Sequence, residues 1–535
     1  MFALHRRMQA PITWKPVTNP IERGREFIEV AHPDNADNPF IPSGYTYLLQ
    51  FVAHDMVQTR VPFWAVASDP ATETSNDQGV RLQLDCLYGD GPTGHPSIYA
   101  PDTAEDYSRT RLQLGRAKTG PVVGASTCPF RDLARLQLLH TMQDRPGSLS
   151  EPLIADPRND DHAILSQLTM LFHLLHNTFV ALQGRAAGAA PDVTSKAGER
   201  FRKARSATTL LYRHVVRHDL LRRILHPAVH DLYNGSANAL LDPTFGEPGT
   251  DLPLEFSHGA FRFAHVMARP TYRINDGTGP QGQRLSDALV ATSSSPIFTG
   301  PLEKTWLVQW SNFFNFPGVS QPDRMNLSRR IGTNVAVALL GGPFKAIGPP
   351  PSTGGVLYRD LISAGLAHLW STGALIAAAA TSPRHADIMW KSRLLRDAAF
   401  RRSSLRDWLA EAPEYWTVLK SQYGIDSADV IPSLADDPPL PFFVLFEALK
   451  DETAPGCRLG ILGSIIIAET MFGEFHRNKP PAENGGGPLR TRLAAIDPAF
   501  DEADFDGSIG MAEAIGFVWK HLKSDPVEES LGLIA

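Results

Sequence analysis

The stretch ILSQLTMLFHLLHNTF, residues 164–179, repeats its apolar side chains at the spacing of an α-helix. The positions that recur at this spacing are Ile164, Leu165, Leu168, Leu171, Phe172, Leu175 and Phe179. Asp160 and Asp161 stand just before the stretch, where carboxylates suit the positive end of a helix dipole. We therefore predict a long helix that begins near residue 160.

Helical patterns continue through most of the chain, and alternating strand patterns are scarce. YTYLLQFVAHDMVQ predicts a helix over about 44–58 with Ser43 as N-cap, and an amphipathic helix follows at about 197–223. Further helices are expected at 284–293, 325–340, 356–380, 384–396, 403–411, 440–449 and 458–476. The pattern predicts a mainly α protein with long loops and little β. We divide it into a wrapping arm at 1–42, one large helical domain at 43–477 and a C-terminal loop and tail at 478–535 packed on the domain.

The composition excludes several classes of protein. The chain has 535 residues, a formal net charge of -6 and no long block of one sign, so no basic patch suggests nucleic acid. Three widely spaced cysteines make no disulfide framework and no thiolate zinc site. The N-terminus lacks the apolar segment of a secretory signal, and no apolar run approaches the roughly 20 residues of a transmembrane helix. We expect a cytoplasmic protein, with export by another route left open.

Two short clusters contain residues suited to acid–base chemistry. In QFVAHD, residues 50–55, Gln50 and His54 are one helical turn apart and share a face, whereas Asp55 points about 100° away. A buried helix with one satisfied histidine is the simpler interpretation of this motif alone. In DPRND, residues 156–160, the aspartates suit a helix start, but Arg158 does not, and an arginine there can polarise or bind an anion.

A third cluster, FRFAH at residues 261–265, surrounds His265 with aromatic residues and is followed by Arg269. Either His265 is a core histidine, or it is an axial haem ligand with arginines near the anionic propionates. A rival pattern places His214 and His218 one turn apart with Asp219 beside them, which suits a metal ion. Together with His54-Asp55 and Asp160-Asp161-His162, it would make a hydrolytic metal site, although many arginines and lysines surround it.

Taken in order, these motifs resemble the animal-type haem peroxidase superfamily (the peroxidase–cyclooxygenase superfamily), specifically its bacterial members. The resemblance covers about residues 20–475. It rests on QFVAHD at 50–55, LDCLYGDGP at 84–92, DPRND at 156–160, FRFAH at 261–265, MNLSRR at 325–330 and RLGILGSIIIAETMFG at 458–473. One such motif is weak, but six in this order are specific. The resemblance implies a helical haem-peroxidase domain that reduces hydrogen peroxide through a ferryl intermediate and oxidises an organic donor or halide.

The resemblance also implies a role for each matching residue. His54 would be the distal base, with Gln50 lining the distal pocket and Arg158 stabilising charge on the leaving oxygen. His265 would ligate the haem iron, and Asn326 would accept the proton on its other ring nitrogen. Arg262 and Arg329 match positions near the haem propionates.

Three departures from the family pattern change what is expected of the haem. Ala53 stands where an aspartate esterifies the haem in mammalian members, and Asp161 replaces a glutamate one methylene longer at the second ester position. His162 occupies the position of the methionine that forms a sulfonium link. We therefore predict haem b that is mostly non-covalent.

The family also has a calcium site beside the distal helix. Asp55 matches its first ligand, and Gln83 and Asp85 fall at further ligand positions, with one charge fewer than usual. Calcium is expected to bind weakly. The alternative is that Asp55 only accepts hydrogen bonds from backbone amides of the loop at 79–85.

The choice among activities remains open in the sequence. Fatty-acid dioxygenases of the superfamily carry a radical-forming tyrosine three residues before the proximal histidine, where this chain has Arg262, so we favour a peroxidase. Its partners would be hydrogen peroxide and a small electron donor, without nucleic acid. The alternatives are a haem-binding protein with little turnover, such as a sensor or biosynthetic partner, and a metal-dependent phosphohydrolase.

Overall fold

Two buried helices form the centre of the fold. α1, Gly44–Met56, packs against α2, Ala163–Ala187, which is the long helix that the sequence predicts. Phe51 of α1 stacks on Phe172 of α2 with 4.5 Å between ring centroids, and both side chains are buried. α1 exposes only one narrow side, because its remaining residues are all buried.

The structure is a computed structural model. It describes residues 36–58, 81–100, 109–118, 131–140, 147–187, 196–235, 252–295, 298, 300–340, 355–367, 369–411, 413–477, 479–483, 487–503 and 505–522. The predicted wrapping arm at 1–42 therefore lies outside the described residues except for its last seven.

The remaining longer helices surround this centre. They are α3 (Ala197–Val215), α4 (Pro227–Gly235), α5 (Val356–Leu366), α6 (Thr372–Thr381), α7 (Ala398–Ala410), α8 (Pro413–Tyr423), α9 (Ser427–Asp436), α10 (Leu440–Leu449), α11 (Ile461–Arg477), α12 (Leu489–Ile496) and α13 (Met511–Leu522). One apolar core extends from Ile41 to Val518, so the described helices share a single interior.

Short helical segments link these helices. One-turn α-helices lie at Asp85–Tyr88, Gly91–Gly94, Leu221–Ile224, Leu285–Ala288, Ala386–Met389 and Arg393–Arg396. Turns of 3-10 helix lie at Pro96–Ile98, Pro157–Asp160, Ala260–Met267, Asp276–Thr278, Lys304–Trp306, Trp310–Asn312, Val337–Leu340, Pro481–Glu483 and Pro498–Ala503. Wider π turns occur at Val216–Leu220, which continues α3, and at Glu255–Gly259.

The β-structure of the described residues consists of antiparallel pairs of short strands. β1 (Asp37–Pro42) pairs with β4 (Leu327–Arg329), and β2 (Arg135–His140) pairs with β3 (Gly147–Pro152). The other pairs join two-residue strands: Tyr99–Ala100 with Arg111–Leu112, Leu114–Gly115 with Asp132–Leu133, and Thr271–Tyr272 with Gln283–Arg284. The predicted fold class, mainly α with little β, is confirmed.

Several predicted helix boundaries are wrong. The predicted helix at 325–340 is instead β4 and a 3-10 turn, because its first residues pair with β1. The predicted helix at 356–380 is two helices, since Ser371 caps a new start by accepting from the Ala374 N–H at 3.1 Å. The sequence also predicted a tail where α12 and α13 lie, and Phe517 of α13 packs on Phe179 of α2.

Among the described residues, no helix is long and apolar enough to cross a membrane.

A buried arginine fixes the turn that carries Arg158. Arg135 donates to both oxygens of Asp132 at 3.0 Å and to both oxygens of Asp160 at 2.8 and 2.9 Å. All three side chains are at most 5% exposed. The two carboxylates offset the burial of Arg135 and raise its pKa, so it stays charged. Asp160 also accepts from the hydroxyl of Ser293, which ties the start of α2 to a distant loop.

Arg135→Met should lower the free energy of unfolding by about 3–5 kcal/mol, because removal of one partner leaves buried carboxylates without compensation. Chemical denaturation followed by circular dichroism measures the change. Arg284→Met is the matched control, since Arg284 and Asp287 form an exposed pair, and its loss should change stability by at most about 1 kcal/mol. Equal effects of the two substitutions would contradict a structural role for Arg135.

Candidate active site

The exposed side of α1 carries the predicted distal residues. Gln50, Ala53 and Val57 are partly exposed and lie one turn apart, whereas the residues on the other sides of the helix are buried. His54 is 9% exposed and sits beside this opening. Gln50 and His54, which the sequence predicts to line a pocket, therefore lie at the partly exposed side of α1.

Asn159 determines which nitrogen of His54 is available for chemistry. The Asn159 amide nitrogen donates to the Cys86 carbonyl at 3.3 Å, which orients the amide oxygen toward His54. Nδ1 of His54 lies 2.8 Å from that oxygen and must donate to it. In neutral His54 the lone pair is then on Nε2. Burial, and next the charge of Arg158, lower the pKa of His54 to about 4, so the ring is a neutral base near pH 7.

A second neutral imidazole lies beside His54. Nδ1 of His162 accepts from the Leu165 N–H at 3.3 Å, so Nε2 of His162 donates to the Gln50 side-chain oxygen at 2.8 Å. Burial, followed by the proximity of His54, lowers the pKa of His162 to about 3. Gln50 is therefore held in place by His162. The sequence placed His162 at a haem-linking position and in the rival metal site, but did not predict this hydrogen bond.

Arg158 joins the distal cluster through the end of α1. It donates to the carbonyls of Val57 at 2.7 Å and His54 at 3.0 Å, which are acceptors at the C-terminus of the helix. Its Nε and Nη2 also donate to the Asp156 carboxylate. Four of its five N–H donors thus have partners: the one on Nε, the two on Nη2 and one of the two on Nη1. The side chain is 34% exposed.

Asp161 follows this turn and completes the cluster. Its side chain is exposed to solvent, yet protein atoms surround much of it. Desolvation raises the pKa of Asp161 to about 7, although the charge of Arg158 opposes the shift. The structure therefore brings Gln50, His54, Arg158, Asp161 and His162 together.

His265 lies on the 3-10 helix Ala260–Met267, which packs against α1, α10 and α11. Its Nδ1 is 2.7 Å from the Asp360 carboxylate of α5, and the imidazole is 32% exposed. Asp360 is 7% exposed at its side chain, so this is a buried carboxylate with a defined partner. With Nδ1 donating to Asp360, Nε2 of His265 is the ring nitrogen left to bind a ligand.

The predicted partner of His265 is wrong. Asn326 uses its amide on three backbone groups: it accepts from the Arg273 N–H and donates to the carbonyls of Arg273 and Asn312, all at 2.9 Å. These hydrogen bonds connect the start of β4 to two neighbouring loops. The hydrogen-bond partner of His265 is therefore Asp360 and not Asn326. Sequence reasoning missed Asp360, although an aspartate among the apolar residues of VLYRDLISAGL is a signal for a buried, paired charge.

The two arginines predicted near the propionates have separate surroundings. Arg262 donates from Nε to the Ser257 carbonyl at 2.8 Å. Arg329 bonds Asp37 at 3.0 Å, and Arg269 bonds the same carboxylate at 2.6 Å. Burial lowers the pKa of Arg329, and the nearby charge of Arg269 adds to that shift. Arg329 and Arg269 thus form a cationic pair at the edge of the β1–β4 sheet, with one shared carboxylate.

The structure gives two of the predicted calcium ligands, Asp55 and Asp85, partners within the protein. Asp55 accepts from the Leu84 N–H at 3.3 Å, the interaction that the sequence left as the alternative to calcium. Asp85 forms an ion pair with Arg205 at 2.9 Å, so a cation already occupies its surroundings. Gln83 lies in the same loop, just before Leu84, which adopts a left-handed backbone with φ of 60°. Within the described ranges, no group of three or more acidic, thiol or imidazole side chains is placed to hold a metal ion.

The rival phosphohydrolase site is not assembled either. Asp219 accepts from the Tyr45 hydroxyl at 2.6 Å, from Arg223 at 2.7 Å and from the Met511 N–H at 2.9 Å. Asp160 forms an ion pair with Arg135, and Asp55 accepts a hydrogen bond from the loop amide of Leu84. The aspartates that this hypothesis needs therefore have separate structural roles.

No family model matches the chain, and no curated protein matches it. Among solved structures, peroxidase A from Dictyostelium discoideum is similar with a TM-score of 0.46 and 14% identity over 95% of this chain and 92% of that one. The fatty acid alpha-dioxygenase of Oryza sativa is similar with a TM-score of 0.43 and 13% identity over 91% and 81% of the two chains. A variant of the rice enzyme with palmitic acid gives 0.40 and 14% over 88% and 76%.

Asp55→Asn should stabilise the protein at pH 8 and have little effect near pH 4. Desolvation raises the pKa of Asp55 to about 7 in the folded chain, above about 4 when unfolded. The folded chain therefore binds more protons between these values, and stability falls as pH rises through that window. Asparagine carries no charge, so the substitution removes the cost of burying an ionised carboxylate at pH 8. Thermal unfolding midpoints of the variant and of the unmodified chain at pH 4 and pH 8 measure the change in stability.

The calcium hypothesis predicts the opposite. If Asp55 ligates calcium, the substitution lowers the midpoint at pH 8, and a chelator lowers that of the unmodified chain. Either result would overturn our assignment of Asp55 to the loop amides.

Proposed function

We propose that the chain is a haem-dependent peroxidase that reduces hydrogen peroxide and oxidises a small organic donor or a halide. The observation that carries the proposal is the setting of His54. Its Nδ1 is bonded to Asn159, its Nε2 keeps a lone pair, and its pKa is lowered to about 4. A neutral imidazole with one nitrogen held is the form that general-base catalysis needs. The order of the six sequence motifs supports the same function.

The residues around His265 fit a haem. An imidazole ligand to iron usually donates its other N–H to a carboxylate or carbonyl, which fixes the tautomer and increases basicity. Asp360 provides such an acceptor at 2.7 Å, and the partial exposure of His265 leaves Nε2 room for a ligand. Arg269 and Arg329 would be cationic neighbours for a propionate. When bound, the haem would supply an iron that takes up peroxide and stores two oxidising equivalents.

The chain's own residues then manage the proton. Nε2 of His54 accepts the proton of the peroxide oxygen that stays behind and returns it to the oxygen that leaves as water, so the histidine ends neutral, as it began. Arg158 has two effects. Its charge helps to keep His54 neutral, and its remaining N–H can stabilise negative charge on the departing oxygen. Gln50, held by His162, lines the same pocket.

We infer that the haem is b-type and mostly non-covalent. Ala53 has no carboxyl group for an ester, and His162 is already engaged with Gln50. Asp161 is the one carboxyl of this cluster at a predicted ester position, and it is a methylene shorter than the usual glutamate.

A second candidate is a haem-binding protein with little turnover. The observation in its favour is that Arg158 has most of its donors occupied by Asp156 and by the end of α1. A dioxygenase is less well supported, because Arg262, three residues before His265, has no phenol to oxidise and donates to a backbone carbonyl.

His54→Ala should leave haem bound but slow the reaction with peroxide by about 10²–10⁴-fold, the usual contribution of an acid–base group. Stopped-flow absorbance of the haem-loaded protein measures the rate. In the unmodified chain the rate should fall only as pH drops through about 4, where His54 takes up a proton. The variant should lack this acid limb.

His95→Ala serves as the control, since His95 pairs with Asp90 on an exposed loop. It should react at the unmodified rate. An unchanged rate in His54→Ala would remove His54 from the mechanism, and slow turnover in the unmodified chain as well would favour the binding-protein candidate.

A further inference from the structure

A second pocket lies between α3, α4 and the loop 507–509 that precedes α13. Its volume is about 380 Å³, at the small end of the range for small-molecule sites. Polar side chains dominate its wall: His214, His218, Arg222, His230, Asn234 and Ser508. The proposed peroxidase mechanism uses none of these residues.

A π turn in the helix aligns three of them. His214, His218 and Arg222 follow one another at intervals of four residues. In a regular α-helix of 3.6 residues per turn, side chains at this interval move progressively around the helix axis. The wider turn at Val216–Leu220 offsets the drift and brings Arg222 back into line with the histidines. The rings of His214 and His218 lie 4.5 Å apart between centroids. Turns of this kind are rare and are often found at functional sites.

The pocket has three arginines in or beside it, and Glu483 lies close enough to two of them, Arg217 and Arg492, to affect their pKa values. Arg222 lines it directly, and Arg492 of α12 approaches Nδ1 of His214 at 3.5 Å. Arg217, beside His218, lies over the ring of Phe472 at 5.6 Å. Asp231 is the one carboxylate among the residues that line the pocket in the described part of the chain.

His230 supplies a buried nitrogen without a partner. The residue is 8% exposed, and its Nε2 has no hydrogen-bond partner. Its Nδ1 lies 3.4 Å from the Asp231 carboxylate. Buried polar atoms are nearly always hydrogen-bonded in folded proteins, so the unpaired ring nitrogen of a pocket-lining histidine is a candidate contact for a ligand.

The ligand that fits this wall is an anion. Three imidazoles would suit a transition metal, but the surrounding arginines repel cations, and the described residues include no group of three side chains placed to hold one. Guanidinium groups instead match the geometry of phosphate and carboxylate oxygens.

We propose that this pocket binds the phosphate or carboxylate group of a small anionic molecule. Arg222 donates to the oxyanion from the rim. His214 and His218 donate from one face, and Nε2 of His230 donates from the other. Asn234 and Ser508 provide neutral donors at the opening.

Binding is linked to proton uptake. In the empty pocket, desolvation first and the neighbouring ring and arginines next lower the pKa of His214 to about 3. Partial desolvation by nearby protein atoms, followed by Arg217 and Arg492, lowers the pKa of the solvent-exposed His218 to about 4. A bound anion opposes both effects and raises these pKa values. Because His218 becomes a charged donor when it gains a proton, affinity rises as pH falls.

Isothermal titration calorimetry of the full chain with sulfate at low salt tests whether the pocket binds an anion and whether the affinity depends on pH. Sulfate is a tetrahedral oxyanion that keeps its charge between pH 5 and 8, the range in which histidines titrate. We expect saturable binding that is at least about tenfold tighter at the lower pH, as for one added charge-assisted hydrogen bond. Malonate at neutral pH is the carboxylate probe, and its relative affinity shows which oxyanion the site prefers.

Arg222→Met should weaken sulfate binding by about tenfold or more, and His218→Gln should reduce the pH dependence. Both side chains are exposed, so the variants should fold, which circular dichroism checks. Arg284→Met, which removes an exposed arginine that pairs with Asp287, should bind like the unmodified chain. The proposal is overturned if neither probe binds, if Arg222→Met binds as tightly as the control, or if probes bind only after zinc is added.

Discussion

The hydrogen bond from Nδ1 of His54 to the Asn159 oxygen is the interaction on which the candidate site depends. It joins α1 to the turn before α2, across 105 positions of sequence, and it leaves the lone pair of His54 on Nε2. The turn keeps its place because Arg135 binds Asp160 in a buried ion pair. Arg158, from the same turn, binds the carbonyl end of α1 and lowers the pKa of His54. The contact between α1 and the turn before α2 therefore determines the position, the charge and the tautomer of His54.

The two principal histidines are held in different ways, and the difference suits different tasks. His54 bonds a neutral amide in a buried setting, which favours a neutral ring that can accept a proton. His265 bonds the buried carboxylate of Asp360, which makes its Nε2 a stronger donor to a metal. The resemblance to the peroxidase family predicted an asparagine at this second position. A carboxylate there would give more electron density to a bound iron than an amide would.

The sequence predicted those parts of the molecule that depend on local pattern. The apolar spacing of 164–179 and of 44–58 predicted α2 and α1, and the shared face of Gln50 and His54 follows from the helix. Asp360 was missed because it lies 95 positions from His265, and only tertiary packing brings the two together. The helix expected at 325–340 fails for a similar reason, since pairing with β1 overrides the local pattern. The partner of Gln50, His162, likewise depends on how α1 lies on α2.

The most direct test of the account is a visible spectrum of the haem-loaded chain before and after one equivalent of hydrogen peroxide, compared with that of His265→Ala. The account predicts a Soret band in the unmodified chain that shifts when peroxide is added, and loss of that band in the variant. A band that does not respond to peroxide would contradict the role of His54. A band that is absent from the unmodified chain, or unchanged in His265→Ala, would contradict the assignment of His265 as the iron ligand.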